Sequence, residues 1–242
     1  MPRLYCDLVL SCGDTVSLPA GAARHVQVLR LQPGDALTLF DGRGGEYDAQ
    51  VEHMGRQEVR VQIGTHHAIE REAPTQVHLV TGMPANERMD WLVEKATELG
   101  VQRLTPVMTE RSVLRLQGER ADKKLTHWQS MVVAASEQCG RNRLMTIDPV
   151  RTLSQWLREC TPVESQVRAV LSLAPSARPL GEVQAHLPHA TPWLLVSGPE
   201  GGLSTIEEAA LLDSGYLPVS LGSRVLRAET AAMAAVTRLV VS

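Results

Sequence analysis

The sequence predicts an α/β protein, with a small β-rich domain followed by a larger domain built on a parallel sheet. Three observations lead there. Residues 1 to about 70 carry short, partly alternating apolar runs separated by turn residues. From Val77 onward, strands alternate with longer amphipathic helices, the pattern of a parallel sheet with crossover helices. Near the C-terminus two Gly-bearing loops each follow a short apolar strand and lead into a helix, which puts a ligand pocket at the carboxyl edge of that sheet.

In the first domain the strands are Leu37–Phe40, Glu46–Val51 and Val59–Ile63. Pro33-Gly34-Asp35 turns the chain before the first, and Asp41-Gly42-Arg43-Gly44-Gly45 after it. One helix, Ala22 to Arg30, interrupts them, and the whole suggests a compact β-barrel able to present a groove to RNA. Glu70-Arg71-Glu72 with Ala73-Pro74 forms a hinge, so the expected division is a barrel at 1–70, a linker at 71–76 and a second domain at 77–242.

The second domain opens on a strand at Val77–Val80. A helix then sets Met89, Leu92, Val93, Ala96 and Leu99 on one stripe and stops at Gly100. Arg103–Val107 is a strand and Leu125 to Glu137 a helix; Gln166–Leu173 and Pro192–Ser197 are further strands. Ser204-Thr205-Ile206-Glu207 has capping-box spacing and opens a helix, Tyr216–Leu221 is a strand, and an Ala-rich helix runs from Ala228 to about Val240. Pro162 to Thr191 offers no usable motif around its single strand.

Composition excludes several classes. With 43% hydrophobic residues the 242-residue chain can bury a core, and a net charge of −3 argues against a general polyanion binder. No apolar run approaches the roughly 20 residues of a membrane span, and the N-terminus lacks a signal-peptide h-region; a cytoplasmic, non-membrane protein is expected. Cys6, Cys12, Cys139 and Cys160 form no C-x-x-C pair, so no metal site is expected. Basic residues cluster between Arg103 and Arg143, and with lysine only at positions 95, 123 and 124 the positive charge is carried mainly by arginine, which grips phosphate in a bidentate way. Such a cluster is also what solvated helix faces look like.

Gly198-Pro199-Glu200-Gly201-Gly202 is not a nucleotide P-loop, since no lysine follows Lys124, and no G-x-G-x-x-G occurs. A Gly-rich loop alone is more often a tight turn than a site. Its company changes this. Together with Leu221-Gly222-Ser223-Arg224-Val225-Leu226-Arg227-Ala228-Glu229-Thr230-Ala231 it closely resembles the two signature loops of the bacterial small-subunit (16S) rRNA uridine-N3 methyltransferases, members of the SPOUT superfamily. His25–Arg30 with Pro33-Gly34-Asp35 and Phe40-Asp41-Gly42 resembles that family's N-terminal PUA-like barrel, and Lys95–Val101 and Glu137–Asn142 its internal motifs.

The resemblance implies a C-terminal trefoil-knotted methyltransferase domain behind a PUA-like β-barrel, although knots are otherwise nearly absent from proteins. It implies S-adenosylmethionine held by the two loops, largely through backbone, with Leu173, Gly198, Pro199, Glu200, Gly201, Gly202, Leu221, Gly222, Val225, Leu226 and Thr230 as its contacts. Leu221, Val225 and Leu226 would wall the adenine, though each could equally be core. It implies a homodimer whose active site draws on both chains, and small-subunit rRNA, in assembled or late-assembling subunits, as substrate. Arg24, Arg30, Arg111, Arg115, Arg141, Asn142 and Arg143 are the candidate RNA contacts.

N3 methylation needs alignment, a proton acceptor and a cation over the developing anion. Arg227 and Arg224 are the candidate cations, with Arg141 a contribution from elsewhere in the dimer; Glu229 or Glu200 could take the proton, or merely cap a helix or brace a loop. A non-enzymatic ribosome-assembly factor and another SPOUT specificity are the alternatives, because fold alone does not fix function.

Overall fold

The computed structural model describes residues 1–56, 58–161, 163 and 165–241, and of Asn86 the backbone alone. The chain divides into two units, Met1–Glu72 with Val133–Leu144, and Ala73–Val132 with Met145–Ser242. The first takes Val133–Leu144 out of the stretch expected to form one continuous second domain.

The first unit contains β1 (Arg3–Tyr5), β2 (Thr15–Ser17), α1 (Ala20–Val28), β3 (Ala36–Phe40), β4 (Glu46–Met54) and β5 (Val59–His67). They form one sheet in the order β1-β3-β4-β5-β2, antiparallel except for the β1–β3 pair. Period-2 alternation explains it: Val59, Val61 and Ile63 are buried while Arg60, Gln62 and Gly64 face out. Leu4, Leu37, Leu39 and Val51 complete the core, and α1 lays Ala22, Ala23 and Val26 against it. β1 and β2 are three residues each, too short to leave a period in the sequence.

An ion-pair network fixes Val133–Leu144 within this unit. Arg141 is 3% exposed and grips Glu72 through Nε at 2.9 Å and Nη2 at 2.6 Å. Fully buried Asn142 donates to the Ile69 carbonyl and accepts from Arg3, which also reaches Glu46 at 3.2 Å. Glu137 accepts from the Tyr5 amide at 2.9 Å and lies 3.4 Å from His25 Nδ1.

The second unit contains β6 (Val77–Gly82), α2 (Asn86–Glu98), β7 (Arg103–Met108), the start of α3 (Glu119–Cys139), β8 (Thr146–Ile147), β9 (Arg151–Thr152), α4 (Leu153–Glu159), β10 (Val167–Leu171), β11 (Arg178–Pro179), α5 (Leu180–Ala185), β12 (Trp193–Ser197), α6 (Thr205–Asp213), β13 (Leu217–Ser220) and α7 (Ala228–Val240). The sheet is parallel throughout, in the order β11-β13-β10-β12-β6-β7-β8, with β9 also on β7. Every residue of β12 is buried, as a strand flanked on both sides and covered on both faces requires. α7 buries Ala232, Met233, Ala235, Val236 and Leu239, the 3–4 spacing of one helical face. The segment after α4, for which the sequence offered one strand, supplies β10, β11 and α5; Pro162 and Glu164 lie outside the described residues.

One buried group should make this unit acid-sensitive. His78 on β6 sits with its side chain 16% exposed, its Nε2 2.7 Å from Thr105 Oγ1. Burial, reinforced by Arg103 and opposed by Asp148, pushes its pKa down from 6.5 to about 4. The unfolded chain therefore binds a proton between pH 6.5 and 4 that the folded chain refuses. Stability from this group is complete above pH 6.5 and declines as pH falls towards 4, by at most about 1.4 kcal/mol per pH unit. At pH 5 this is about 2 kcal/mol, roughly 4–8 °C in melting temperature. Melting curves at pH 7.5 and pH 5 check it: His78→Gln should lose measurably less on acidification than the wild type, and an equal loss would exonerate His78.

Candidate functional site

β13, β10 and β12 lie side by side, yet the chain visits them as β10, β12, β13, leaving β10 for one neighbour and returning to the other side. The carboxyl ends of strands at such a reversal diverge and leave a crevice. Here they enclose a cavity of about 440 Å³, within the usual range for small-molecule sites. Its walls are the loops after these strands: Ser172–Ala174 after β10, Gly198–Leu203 after β12, and Leu221–Leu226 after β13, with Ala228 and Ala231 of α7.

The loop after β12 is shaped by close approaches. The Gly202 amide donates to the Pro199 carbonyl at 2.8 Å, with Gly202 at φ 68°. At the end of β6, Gly82 lies so near this loop that a Cβ there would be 2.5 Å from Pro199 Cδ and 2.7 Å from Pro199 N; only glycine fits. The loop then enters α6 through a complete capping box between Ser204 and Glu207. Glu207 Oε1 also accepts from the Glu110 amide at 2.8 Å, bringing the turn after β7 to the cavity. From that turn Arg111 donates through Nη1 to the Gly201 carbonyl at 2.9 Å.

Four charged side chains line the cavity: Arg111, Glu200, Glu208 and Arg224. Glu208 accepts from Ser172 Oγ at 2.5 Å, which in turn accepts from the Ala174 amide at 3.0 Å. Glu200 Oε1 accepts from the Ala85 amide at 2.8 Å and lies 3.3 Å from Arg88 Nη1. Arg224 has neither a hydrogen bond nor an ion pair among the described residues. Apolar Leu173 and Val225 are 74% and 78% exposed at this cavity, an arrangement that favours covering by a ligand with an apolar face.

Leu173, Gly198, Pro199, Glu200, Gly201, Gly202, Leu221, Gly222, Val225 and Leu226 are thus brought together around one cavity, with Arg224 among them. Three sequence-expected residues are not on its wall. Thr230 is exposed: Ala228 and Ala231 share the helix face turned to the cavity, and position 230 is rotated about 200° from 228. Arg227, the exposed N-cap residue of α7, and Glu229, 9% exposed in its first turn, also fall outside. Glu229 Oε1 is 3.9 Å from Arg88 Nε and its Oε2 is buried without a partner. Ser172, Ala174, Glu208 and Ala231 were not anticipated; only the capping box marked their surroundings.

The expected RNA contacts separate. In the first unit Arg24, Arg30 and Arg143 are exposed, Arg143 with its Nε 3.5 Å from Glu70. Arg141 and Asn142 need correction: both are buried and spent on Glu72, Ile69 and Arg3, so neither can reach a phosphate without breaking that network, and Arg141 is not a mobile cation for catalysis. In the second unit Arg115 is exposed, while Arg111 belongs to the cavity. Among the described residues no helix is long and apolar enough to cross a membrane, and no three His, Cys, Asp or Glu gather as metal ligands would.

Residues 71–240 match the family model described as an RNA methyltransferase domain, and residues 18–64 match that of the RNA methyltransferase PUA domain. A ribosomal RNA small subunit methyltransferase E of Mycobacterium bovis is 34% identical over 96% of this chain and 88% of its own. A ribosomal RNA small subunit methyltransferase E from Neisseria gonorrhoeae, solved bound to S-adenosyl methionine, is 35% identical, covering 98% of this chain and 96% of its own with a TM-score of 0.89. A Legionella pneumophila protein solved with the bound cofactor SAM is likewise 35% identical, with the same coverage and a TM-score of 0.90. The expected pairing of a PUA-type domain with an α/β RNA methyltransferase domain is met.

Proposed function

Since the chain belongs to the ribosomal RNA small subunit methyltransferase E family, we propose that it transfers a methyl group from S-adenosylmethionine to N3 of a uridine in small-subunit rRNA. It does so as a cytoplasmic homodimer acting on assembled or late-assembling subunits. The observation that carries this reading is the cavity at the ends of β10, β12 and β13, walled by the two Gly-bearing loops. The fit to the cofactor rests on that geometry: closely packed glycines offering backbone groups, exposed Leu173 and Val225 for an adenine, and a volume of about 440 Å³.

When bound, S-adenosylmethionine supplies a methyl carbon made electrophilic by its sulfonium. The residues of this chain must then hold the nucleotide in line, remove the N3 proton and offset the charge that develops on the uracil. Arg224, at the cavity and uncommitted, offsets the charge. Of the two candidate proton acceptors Glu200 lies on the cavity wall and Glu229 does not, and Glu200 Oε1 is already shared by Ala85 and Arg88. N3 lies on the Watson–Crick edge, so the target uridine must be unpaired or flipped.

With one Phe, three Tyr and, of four Trp, only Trp91 exposed, there are few stacking platforms, and RNA is bound mainly through phosphates by exposed arginines such as Arg24, Arg30 and Arg115. Affinity for small-subunit rRNA should therefore fall steeply with salt, roughly tenfold or more between 50 and 200 mM for three or so phosphate contacts. A salt-insensitive Kd in filter binding would remove this account of RNA binding.

The test of function is transfer of labelled methyl from S-adenosylmethionine to small subunits lacking the modification, with naked rRNA alongside, followed by nucleoside analysis. Label in 3-methyluridine is the expected result. Label in another nucleoside would refute the acceptor, and no transfer together with no cofactor binding by calorimetry would favour a non-enzymatic assembly factor.

A further inference from the structure

The loop Gly198–Gly202 is held from outside the cavity by a residue with no motif around it. Arg88, in the first turn of α2, stands between two carboxylates from distant parts of the chain. Its Nη1 is 3.3 Å from Glu200 Oε1 on the loop, and its Nε is 3.9 Å from Glu229 Oε1 in the first turn of α7. Glu200 Oε1 also accepts from the Ala85 amide at 2.8 Å. Ala85 is the N-cap position of α2 and has no side chain to cap with, so the loop carboxylate caps this helix from across the fold.

The charges make the arrangement dependent on the arginine. Among the described residues Arg88 is the only cation within ion-pair distance of either Glu200 or Glu229. Glu229 is 9% exposed and its second oxygen has no partner, so without Arg88 both carboxylates would lose their cation and Glu229 would be a buried charge without an ion-pair partner among the described residues. The loop would then relax by swinging Glu200 towards solvent, and the backbone of Gly198–Gly202 would move with it.

We propose that Arg88 is a positioning residue for this site: by bridging Glu200 and Glu229 it clamps the cofactor loop between the starts of α2 and α7. It does not itself line the cavity and acts through the two glutamates. A lysine at this position could still neutralise one carboxylate but could not bridge both. The clamp rests on the methyltransferase reading only for its consequence in cofactor binding; its effect on the loop does not.

The test uses the full-length chain as wild type, Arg88→Ala, Arg88→Lys, Glu200→Gln and the Arg88→Ala/Glu200→Gln double variant. Amide hydrogen exchange without any ligand should show faster exchange at Gly201 and Gly202 in Arg88→Ala, while core amides of β6 and β12 keep wild-type protection. Calorimetry with S-adenosylmethionine should show Kd raised about tenfold in Arg88→Ala, raised similarly in Glu200→Gln, and no further in the double variant, because all three break the same link. Arg88→Lys should recover only part of the affinity, since it can neutralise one carboxylate without bridging both. Wild-type loop exchange in Arg88→Ala, or additive effects in the double variant, would overturn the clamp. A general loss of core protection would also overturn it, since the arginine would then be serving stability at large. If the wild type itself fails to bind S-adenosylmethionine, the proposed function fails, and the exchange data still decide the clamp.

Discussion

Arg224→Ala is expected to lower kcat for methyl transfer roughly hundredfold, about 2.7 kcal/mol of transition-state stabilisation, while the Kd for S-adenosylmethionine stays within about threefold of wild type. The cations near the cavity differ in what already binds them. Arg111 is on its wall but is committed to the Gly201 carbonyl, 2.9 Å away. Arg88 is committed to Glu200 and Glu229. Arg227 is exposed and off the wall. Arg224 lines the cavity and has no partner among the described residues, so it can meet a negative charge that exists only as the N3–H bond breaks. An interaction made only in the transition state lowers kcat and kcat/KM together and leaves ground-state binding alone. Arg227→Ala, by contrast, is expected to raise KM for the RNA several-fold with kcat little changed, as loss of a phosphate contact would. Steady-state kinetics on small subunits with both variants separate the two roles, and the reverse pattern would transfer the cation's role to Arg227.

That distinction between Arg224 and Arg227 was not available from the sequence, which presents them three positions apart in one loop. Sequence order did announce the loops themselves: a buried strand ending in Gly198-Pro199-Glu200-Gly201-Gly202 and another ending in Gly222 could hardly be placed elsewhere than at the carboxyl edge of a sheet. The Ser204–Glu207 box was legible because it is local, four residues making two hydrogen bonds. What is not legible in the sequence depends on long-range pairing. Arg141 and Asn142 read as basic and polar surface because nothing nearby in the sequence shows that Glu72, Ile69 and Arg3 will surround them. Arg111 looked like part of an RNA-facing run until the turn after β7 was seen attached to Glu207 and Gly201. Ser172 and Glu208 are ordinary polar residues until a 2.5 Å hydrogen bond joins them at the cavity wall. Thr230 lies off the cavity wall for a simpler reason: a helix turns successive residues about 100° apart, so a motif that runs into α7 does not keep all its residues on one face.

Gly198→Ala is expected to abolish cofactor binding in practice, raising Kd at least about hundredfold, with the chain still folded. The effect follows from packing rather than from backbone strain, because Gly198 is not among the glycines with positive φ. A Cβ at this position would stand 2.9 Å from the Leu203 amide nitrogen, 3.0 Å from the Gly202 carbonyl carbon and 3.2 Å from the Gly202 Cα. All three are backbone, so no side chain can rotate away, and the turn from Gly198 to Leu203 must open into the space the ligand would fill. Gly202→Ala provides the opposite case: Gly202 has φ +68° but nothing within 4 Å of its new methyl, so it carries a conformational cost of about 1 kcal/mol and no collision. Calorimetry on the two variants, with circular dichroism to confirm folding, should show Gly198→Ala far weaker than Gly202→Ala. Equal, mild losses would mean that the loop tolerates opening and that the close packing of its backbone does not shape the cavity.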